Sequence, residues 1–463
     1  MTQHSLFVFG KKYTVLLLFL LVLFIVVFRS WEKAVPFSDQ LSIEDAAYSM
    51  VHGASWIIPN VYGQPVLAKP PLIYWLTAPL YTFLPVVSLT PRIPMIIFGL
   101  LLAWLLYQSA KIFYGKATAL WATLFLITSA PFIILTKAAN FDLPNAFFGL
   151  LTLYLYNRSK SNYRFLYLAG ISFGLGILTR SFLAFFPAPV IGIDFLLTKK
   201  HPPISVILAF CSLVLLVILP WHLLAYYQNP SAFISLYLRL PVIYHTVNYV
   251  PGDKILSPLY YFNIFLLFPS TIFALLYFFS KIRSPLSSID RQIFAYCVLI
   301  FLFLSISPTR HEWYIFPIYP ALSILAGAFL ASMLRKTKRQ TTTFFLLLLF
   351  TLTSIISTPI LLLSSPLPQA ESINAVRVME KNSTPQDTLY LYRYPLIWQT
   401  RFFLNNRRVE IIQQVDEKML KDNKTLFILI RTQDTPNLSN LTGQQVLYQA
   451  DNFSLVTLEG KKK

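Results

Sequence analysis

Chemistry in this chain has few places to sit, and the most informative is the stretch from Phe37 to Leu76. Asp39 follows the first long apolar run by about a dozen residues, at the edge of a bilayer. A carboxylate sheltered there by apolar neighbours stays ionised only if something pairs with it. Burial raises its affinity for protons, which suits a general base. Lys69 precedes Pro70 and Pro71, a step that stiffens a non-helical backbone around the cation, and Tyr74 and Trp75 follow. A cation held beside aromatic rings at an interface suits a lipid phosphate; snorkelling of Lys69 and an aromatic belt at Trp75 are the plain alternatives. Glu44 and Asp45 form a further acidic pair in the same stretch, and Asp142 stands in a second short segment of similar character.

The elements that must position these groups are apolar helices. Of 463 residues 56% are hydrophobic and only 12% charged, yet the net charge is +19. A soluble domain carries roughly 25% charged residues, so a water-soluble globule and a soluble nucleic-acid binder are both excluded. Runs long enough for a bilayer core of about 30 Å lie at 13–28, 91–112, 117–136, 144–157, 164–179, 182–198, 203–220, 258–280, 292–308, 314–334 and 343–363. The first lacks a small-residue cleavage site and reads as an uncleaved span. Eleven spans, give or take two, make an all-α polytopic membrane protein.

With the N-terminus placed in the cytoplasm, the inner loops hold sixteen Lys and Arg against one acid, Asp290. This bias sets orientation; the positive charge is topological rather than a polyanion-binding surface. The outer side then carries two long loops, 30–90 and 221–257, and a tail from 364. Residues 1–363 form the membrane domain. The tail reads as a small extracytoplasmic α/β domain, with strand-like runs at 388–392, 409–412, 425–430, 445–448 and 453–458 and helical patterns at 371–381 and 415–422. Cys211 and Cys297 lie inside apolar runs and imply no disulfide. Gly170-x-x-x-Gly174 reads as helix packing. His222, His245 and Asp253 have no metal-ligand spacing, and no Gly-rich phosphate loop calls for a nucleotide cofactor.

Five ordered pieces carry a resemblance. The first is an acid beyond the first span with Trp56-x-x-Pro59-x-x-x-Gly63 and Lys69-Pro70-Pro71-Leu72-x-x-Trp75 after it. Asn140-Phe141-Asp142, Leu178-Thr179-Arg180, Leu219-Pro220-Trp221 and the run from Ser305 through Arg310, His311 and Tyr314 to Pro317 and Pro320 follow in order. Over residues 10–340 the chain resembles the membrane glycosyltransferases of the protein O-mannosyltransferase and aminoarabinose transferase superfamily, the GT-C type. The resemblance implies transfer, with inversion, of a sugar from a polyprenyl-phosphate carrier to a lipid, glycan or protein acceptor. The reaction would take place outside the cytoplasm, at a bacterial plasma membrane. It implies Asp39 as the base and Asp142 as the acid that orients the acceptor or helps bind a metal. Lys69, Arg180, Arg310 and His311 would lie on the carrier phosphate, with Glu44, Pro70, Tyr74, Trp75 and Tyr314 around the substrates.

Three positions depart from the pattern. Gln40 stands where the family usually has Glu, and Arg180-Ser181 replaces Lys-Gly. Ala68 stands where the aminoarabinose enzymes carry a Glu implicated in metal binding, which speaks against a metal held there and against the aminoarabinose reaction in particular; a divalent metal is not required by the sequence. A transporter or flippase and a non-catalytic scaffold are the alternatives. The first needs ionisable groups inside spans, and only Asp194 is such an acid.

Overall fold

A computed structural model describes residues 3–28, 30, 38–61, 64–87, 89–198, 201–239, 257, 259–266, 268–282, 284, 286–307 and 310–337, and beyond them chiefly the strands of a C-terminal sheet. The chain opens with α1 (Gln3–Val27) and α2 (Ser38–Val51), then a hairpin of β1 (Asn60–Val61) and β2 (Gln64–Pro65). Next come α3 (Leu72–Thr77), α4 (Leu80–Phe83), α5 (Ile93–Tyr114), α6 (Lys116–Ile127) and α7 (Ala130–Leu135). They are followed by α8 (Asp142–Ser159), α9 (Arg164–Arg180), α10 (Pro187–Leu197) and α11 (Ile204–Gln228). After a π-helical stretch at Phe233–Arg239 lie α12 (Tyr260–Leu266), α13 (Pro269–Lys281), α14 (Ser288–Ile306) and α15 (Ile318–Thr337).

Among the described residues, five stretches are long and apolar enough to cross a membrane: Thr90–Tyr114, Arg164–Ala184, Ile204–Gln228, Ser288–Ile306 and Ile318–Arg335. Val15–Val27, α6 and α10 are apolar but shorter. Three of the eleven expected spans are divided. The run 117–136 breaks at Thr128 and Ser129 into α6 and α7, 182–198 begins with a separate 3-10 turn, and 258–280 breaks at Phe268. Pro131, Pro187 and Pro269 open the second pieces. A proline lacks the N–H that would continue the preceding helix but fits the first turn of a new one. The expected span 343–363 lies outside the described residues, as does most of the loop 221–257 with His245 and Asp253.

Small residues set the helix contacts. A Cβ on Gly170 would come 2.9 Å from the Phe210 carbonyl oxygen, and one on Gly174 2.8 Å from Val217, so the expected packing motif is what lets α9 lie against α11. Gly327 of α15 meets the backbone of α6 in the same way, 2.6 Å from the Ala122 nitrogen. The apolar face of α11 away from α9, with Leu208, Leu216 and Leu223, is exposed as a lipid-facing helix would be. Asp194, the acid expected inside a span, is held at one helix end by Lys160 at 2.8 Å, Ser288 at 2.6 Å and Tyr156 at 2.9 Å. It reads as an internal tie rather than a transport site.

The tail holds β3 (Leu389–Tyr392), β4 (Val409–Ile412), β5 (Thr425–Arg431), β6 (Gln444–Gln449) and β7 (Phe453–Glu459), within a residue of the expected runs. The sheet order is β4-β3-β5-β7-β6, with β3 parallel to β4 and β5 and the other pairs antiparallel. In the central strand, Leu426 to Ile430 are buried without alternation. A strand covered on both faces has that pattern. The expected helix 415–422 lies outside the described residues.

Candidate active site

The long first outer loop is not irregular: α2, the small hairpin and α3 give it a frame. Two indole N–H groups fasten it, Trp75 to the Trp56 carbonyl and Trp221 of α11 to the Ile57 carbonyl, both at 2.7 Å. Trp75 is thus bonded into the loop in addition to lying near an interface. The first turn of α2 carries Asp39, and Lys69 reaches it from the far side of the hairpin to form an ion pair. Pro70 and Tyr74 are buried behind Lys69.

Arg180, the last residue of α9, completes the cluster. Its guanidinium lies 3.6 Å from Asp39 and 3.1 Å from Asp142, the first residue of α8. Its central carbon sits 4.8 Å from the Tyr314 ring and 5.8 Å from the Phe141 ring, while Lys69 lies 4.6 Å over that same Phe141 ring. Exposure grades inward. The Lys69 and Asp39 side chains are 24% and 14% exposed, those of Arg180 and Asp142 3% and 1%. Neither Asp142 oxygen has a hydrogen-bond donor among the described residues, because the Arg180 contact lacks the required alignment. A buried acceptor left open in this way is an invitation to a polar ligand.

One expectation is reversed. Burial alone raises the Asp39 carboxyl's proton affinity, as expected, but Lys69 and Arg180, with a smaller effect of His311, outweigh it. The net result is a carboxyl held below its ordinary range. The cause is that the loop and α9 deliver two cations to one acid.

Other expected site residues are placed differently. His311 faces Asp39 closely enough to be felt, stacks on Trp313 at 4.9 Å, and its backbone N–H meets the Tyr261 hydroxyl at 3.1 Å. Arg310 donates to the Ser305 carbonyl at 2.9 Å, bracing the end of α14. Glu44 lies one turn beyond Gln40 and points away from Lys69. It accepts from Gln40 at 2.7 Å and is buried between Arg92 and Tyr81. One oxygen is thus tied within α2, and the other, buried, has no hydrogen-bond partner among the described residues.

Three residues that frame the cluster were not singled out as functional from sequence. The Gln40 amide oxygen accepts from Ala139 N–H at 3.3 Å and from Arg92 at 3.4 Å, joining α2 to the segment that carries Asp142. Arg92, 1% exposed, also holds the Ser30 carbonyl at 2.9 Å. Asn140 closes the turn ahead of α8, donating to the Leu135 and Ala138 carbonyls and accepting from Leu143 N–H. An arginine beside a proline at the mouth of a span, as in Pro91-Arg92, was the available signal. Ser181, which follows Arg180, has φ 55° and ψ −131°. That region favours glycine, the residue expected there from the family pattern.

Burial pushes the Glu44 carboxyl from an ordinary 4.5 to about 8, against the opposing pull of Gln40 and Arg92. The folded protein then holds a proton that the unfolded chain releases between those values, so stability falls as pH rises from 4.5 to about 8. Glu44→Gln should flatten that slope and raise the melting temperature above wild type at pH 9, by an effect on the order of a few kcal/mol. Thermal unfolding in detergent from pH 5 to 9 checks this, and an unchanged slope would remove Glu44 as its source.

Residues 68–224 match the dolichyl-phosphate-mannose-protein mannosyltransferase family, and residues 256–396 match the Alg9-like mannosyltransferase family. An uncharacterized protein of Aquifex aeolicus (strain VF5) is 27% identical over 339 residues, covering 71% of this chain and 66%, just under two thirds, of its own length. Among solved structures, ArnT from Cupriavidus metallidurans bound to undecaprenyl phosphate superposes with a TM-score of 0.76 at 16% identity, over 97% of this chain and all of that one. The oligosaccharyltransferase AglB from Archaeoglobus fulgidus gives 0.59 at 14% identity, over 92% of this chain and 70% of that one. Two mannosyltransferase family models thus match successive parts of the chain, its fold is that of ArnT, and five of its described stretches are long and apolar enough to cross a membrane.

Proposed function

We propose that the protein transfers a sugar from a polyprenyl-phosphate carrier to a hydroxyl or amine of a lipid, glycan or protein acceptor on the extracytoplasmic face, with inversion. The observation that carries this reading is the ion-paired cluster of Asp39, Lys69, Arg180 and Asp142 in one graded pocket. The ArnT structure, bound to undecaprenyl phosphate, lends the donor class. In the reading, Asp39 takes the acceptor's proton as its oxygen or nitrogen attacks the sugar's anomeric carbon. The bond from that carbon to the phosphate oxygen breaks, and the electron pair leaves on the phosphate. Lys69 and Arg180 meet that charge, and fixed cations in a dry pocket stabilise it best. Asp142, with open oxygens, orients the acceptor.

The resting ion pair gives the donor a second role. A carrier phosphate that draws Lys69 toward itself takes a cation from Asp39, and the carboxyl's proton affinity then rises toward what a base needs. Nothing in the scheme needs a metal. The Arg180 guanidinium lies between Asp39 and Asp142, where a metal bridging the two carboxylates would have to bind, so the residues do not fit that use.

Purified protein given a labelled polyprenyl-phosphate sugar and a membrane extract should move label to a new product. No transfer from any such donor would overturn the reading. Lys69→Met should both weaken donor use and shift the acid limb of the kcat/KM profile to higher pH, because Asp39 loses the cation that depresses it. Since a base must be unprotonated to act, the variant is inactive at low pH values where the wild type still works. An acid limb in the same place would separate Lys69 from Asp39.

A further inference from the structure

Away from the catalytic pocket, a cleft of about 530 Å³ opens where α13, α15 and the α5–α6 turn end together. These ends are on the side whose loops carry the Lys and Arg excess. Two cations stand at the cleft, Lys281 at the end of α13 and Arg335 near the end of α15, and neither has an ion-pair partner among the described residues. Ser284 and Ser332 line it between them and are exposed. Each hydroxyl donates to a carbonyl of its own segment, which leaves its oxygen able to accept.

The floor is built to stay polar without competing for these cations. Asp290, the only acid in the inner loops, accepts from the Tyr114 hydroxyl at 2.7 Å and the Tyr277 hydroxyl at 3.0 Å and caps α14 through Ser287. The Lys281 ammonium lies 5.5 Å over the Tyr277 ring. Beside Ser332 and Arg335, α15 also brings Ala328, Phe329 and Ala331 to the lining. One compartment thus offers two cations, hydroxyl oxygens able to accept, and hydrocarbon surface. A charge excess that served only to orient the loops would need no cleft and no apolar lining.

We infer that this cleft binds the head group of an anionic glycerophospholipid from the adjoining leaflet, the phosphate between Lys281 and Arg335 and the first acyl carbons along Phe329. Basic pockets between helix ends on the cytoplasmic side are where such head groups are held. The proposal does not depend on the sugar-transfer reading.

The test is native mass spectrometry of the full-length protein in detergent, titrated with phosphatidylglycerol. Phosphatidylcholine of the same chains and inorganic phosphate serve as comparison ligands. Wild type should retain one phosphatidylglycerol in preference to phosphatidylcholine. K281Q/R335Q should weaken that binding roughly 10- to 30-fold, while R164Q, an exposed base outside the cleft, should leave it unchanged. Either single substitution, giving a smaller loss, serves if the double variant does not fold; melting temperature reports folding. Equal retention of both lipids, equal binding by the double variant, or displacement of the lipid by millimolar inorganic phosphate would each overturn the inference.

Discussion

Asn in place of Asp39 should lower the turnover of sugar transfer by about 10²- to 10⁴-fold, the range a general base supplies, without weakening capture of the donor. The amide has the size of the carboxyl but cannot take the acceptor's proton. It also releases Lys69 from its ion pair, and a released lysine meets the carrier phosphate at no electrostatic cost. The Michaelis constant for the polyprenyl-phosphate sugar should therefore stay the same or fall while kcat collapses. Steady-state kinetics with a labelled donor separates the two. Full activity in the variant would remove Asp39 as the base, and a raised constant with unchanged kcat would make it a binding residue instead.

Arg180→Met should be the most destabilising single change in the pocket. Arg180 and Asp142 are almost wholly buried, and the guanidinium stands between two carboxylates. Removing it leaves the buried Asp142 without its cation, near an Asp39 that keeps only Lys69. Breaking a buried pair from one side typically costs about 3–5 kcal/mol. The protein escapes part of that by binding a proton on an acid, so the loss should be greatest at neutral and alkaline pH and smaller near pH 5. Arg180→Lys keeps the charge but concentrates it at one point, and it cannot span Asp39 and Asp142 as a planar fork does. It should restore folding more fully than transfer. Thermal unfolding and transfer assays on the two variants decide it, and a Met variant that melts with wild type would overturn the role given to the pair.

What the residues disclosed in advance, and what they hid, divides along physical lines. Asp39, Lys69 and Asp142 stood out because charge is scarce in an apolar chain, and helix ends beside a bilayer are where charge survives. The strands of the tail were legible because five short apolar runs are separated by polar segments. The spans were harder. Composition marks an apolar run but not a break within it, and Pro131, Pro187 and Pro269 divide runs that hydropathy alone reads as continuous. The lowered proton affinity of Asp39 was out of reach for a different reason. It depends on Lys69 and Arg180, 30 and 141 positions away in the chain, arriving at the same carboxyl. The surroundings of Glu44 were hidden for the same reason, since only the fold brings Arg92 to the turn of α2 that holds Gln40 and Glu44.

Both Lys69 and Arg180 lie near the Phe141 ring, at 4.6 and 5.8 Å from its centre. An aromatic face attracts cations, so the ring helps two like charges share a pocket with two carboxylates. The quartet is electroneutral at rest and needs no counter-ion from solution, so its integrity should be nearly indifferent to ionic strength. The same balance means that any phosphate anion entering tips the compartment to excess negative charge. In the proposed reaction Asp39 ends protonated, so the spent phosphate faces Lys69 and Arg180 with Asp142 alone ionised, and loss of that proton restores the carboxylate that competes for Lys69.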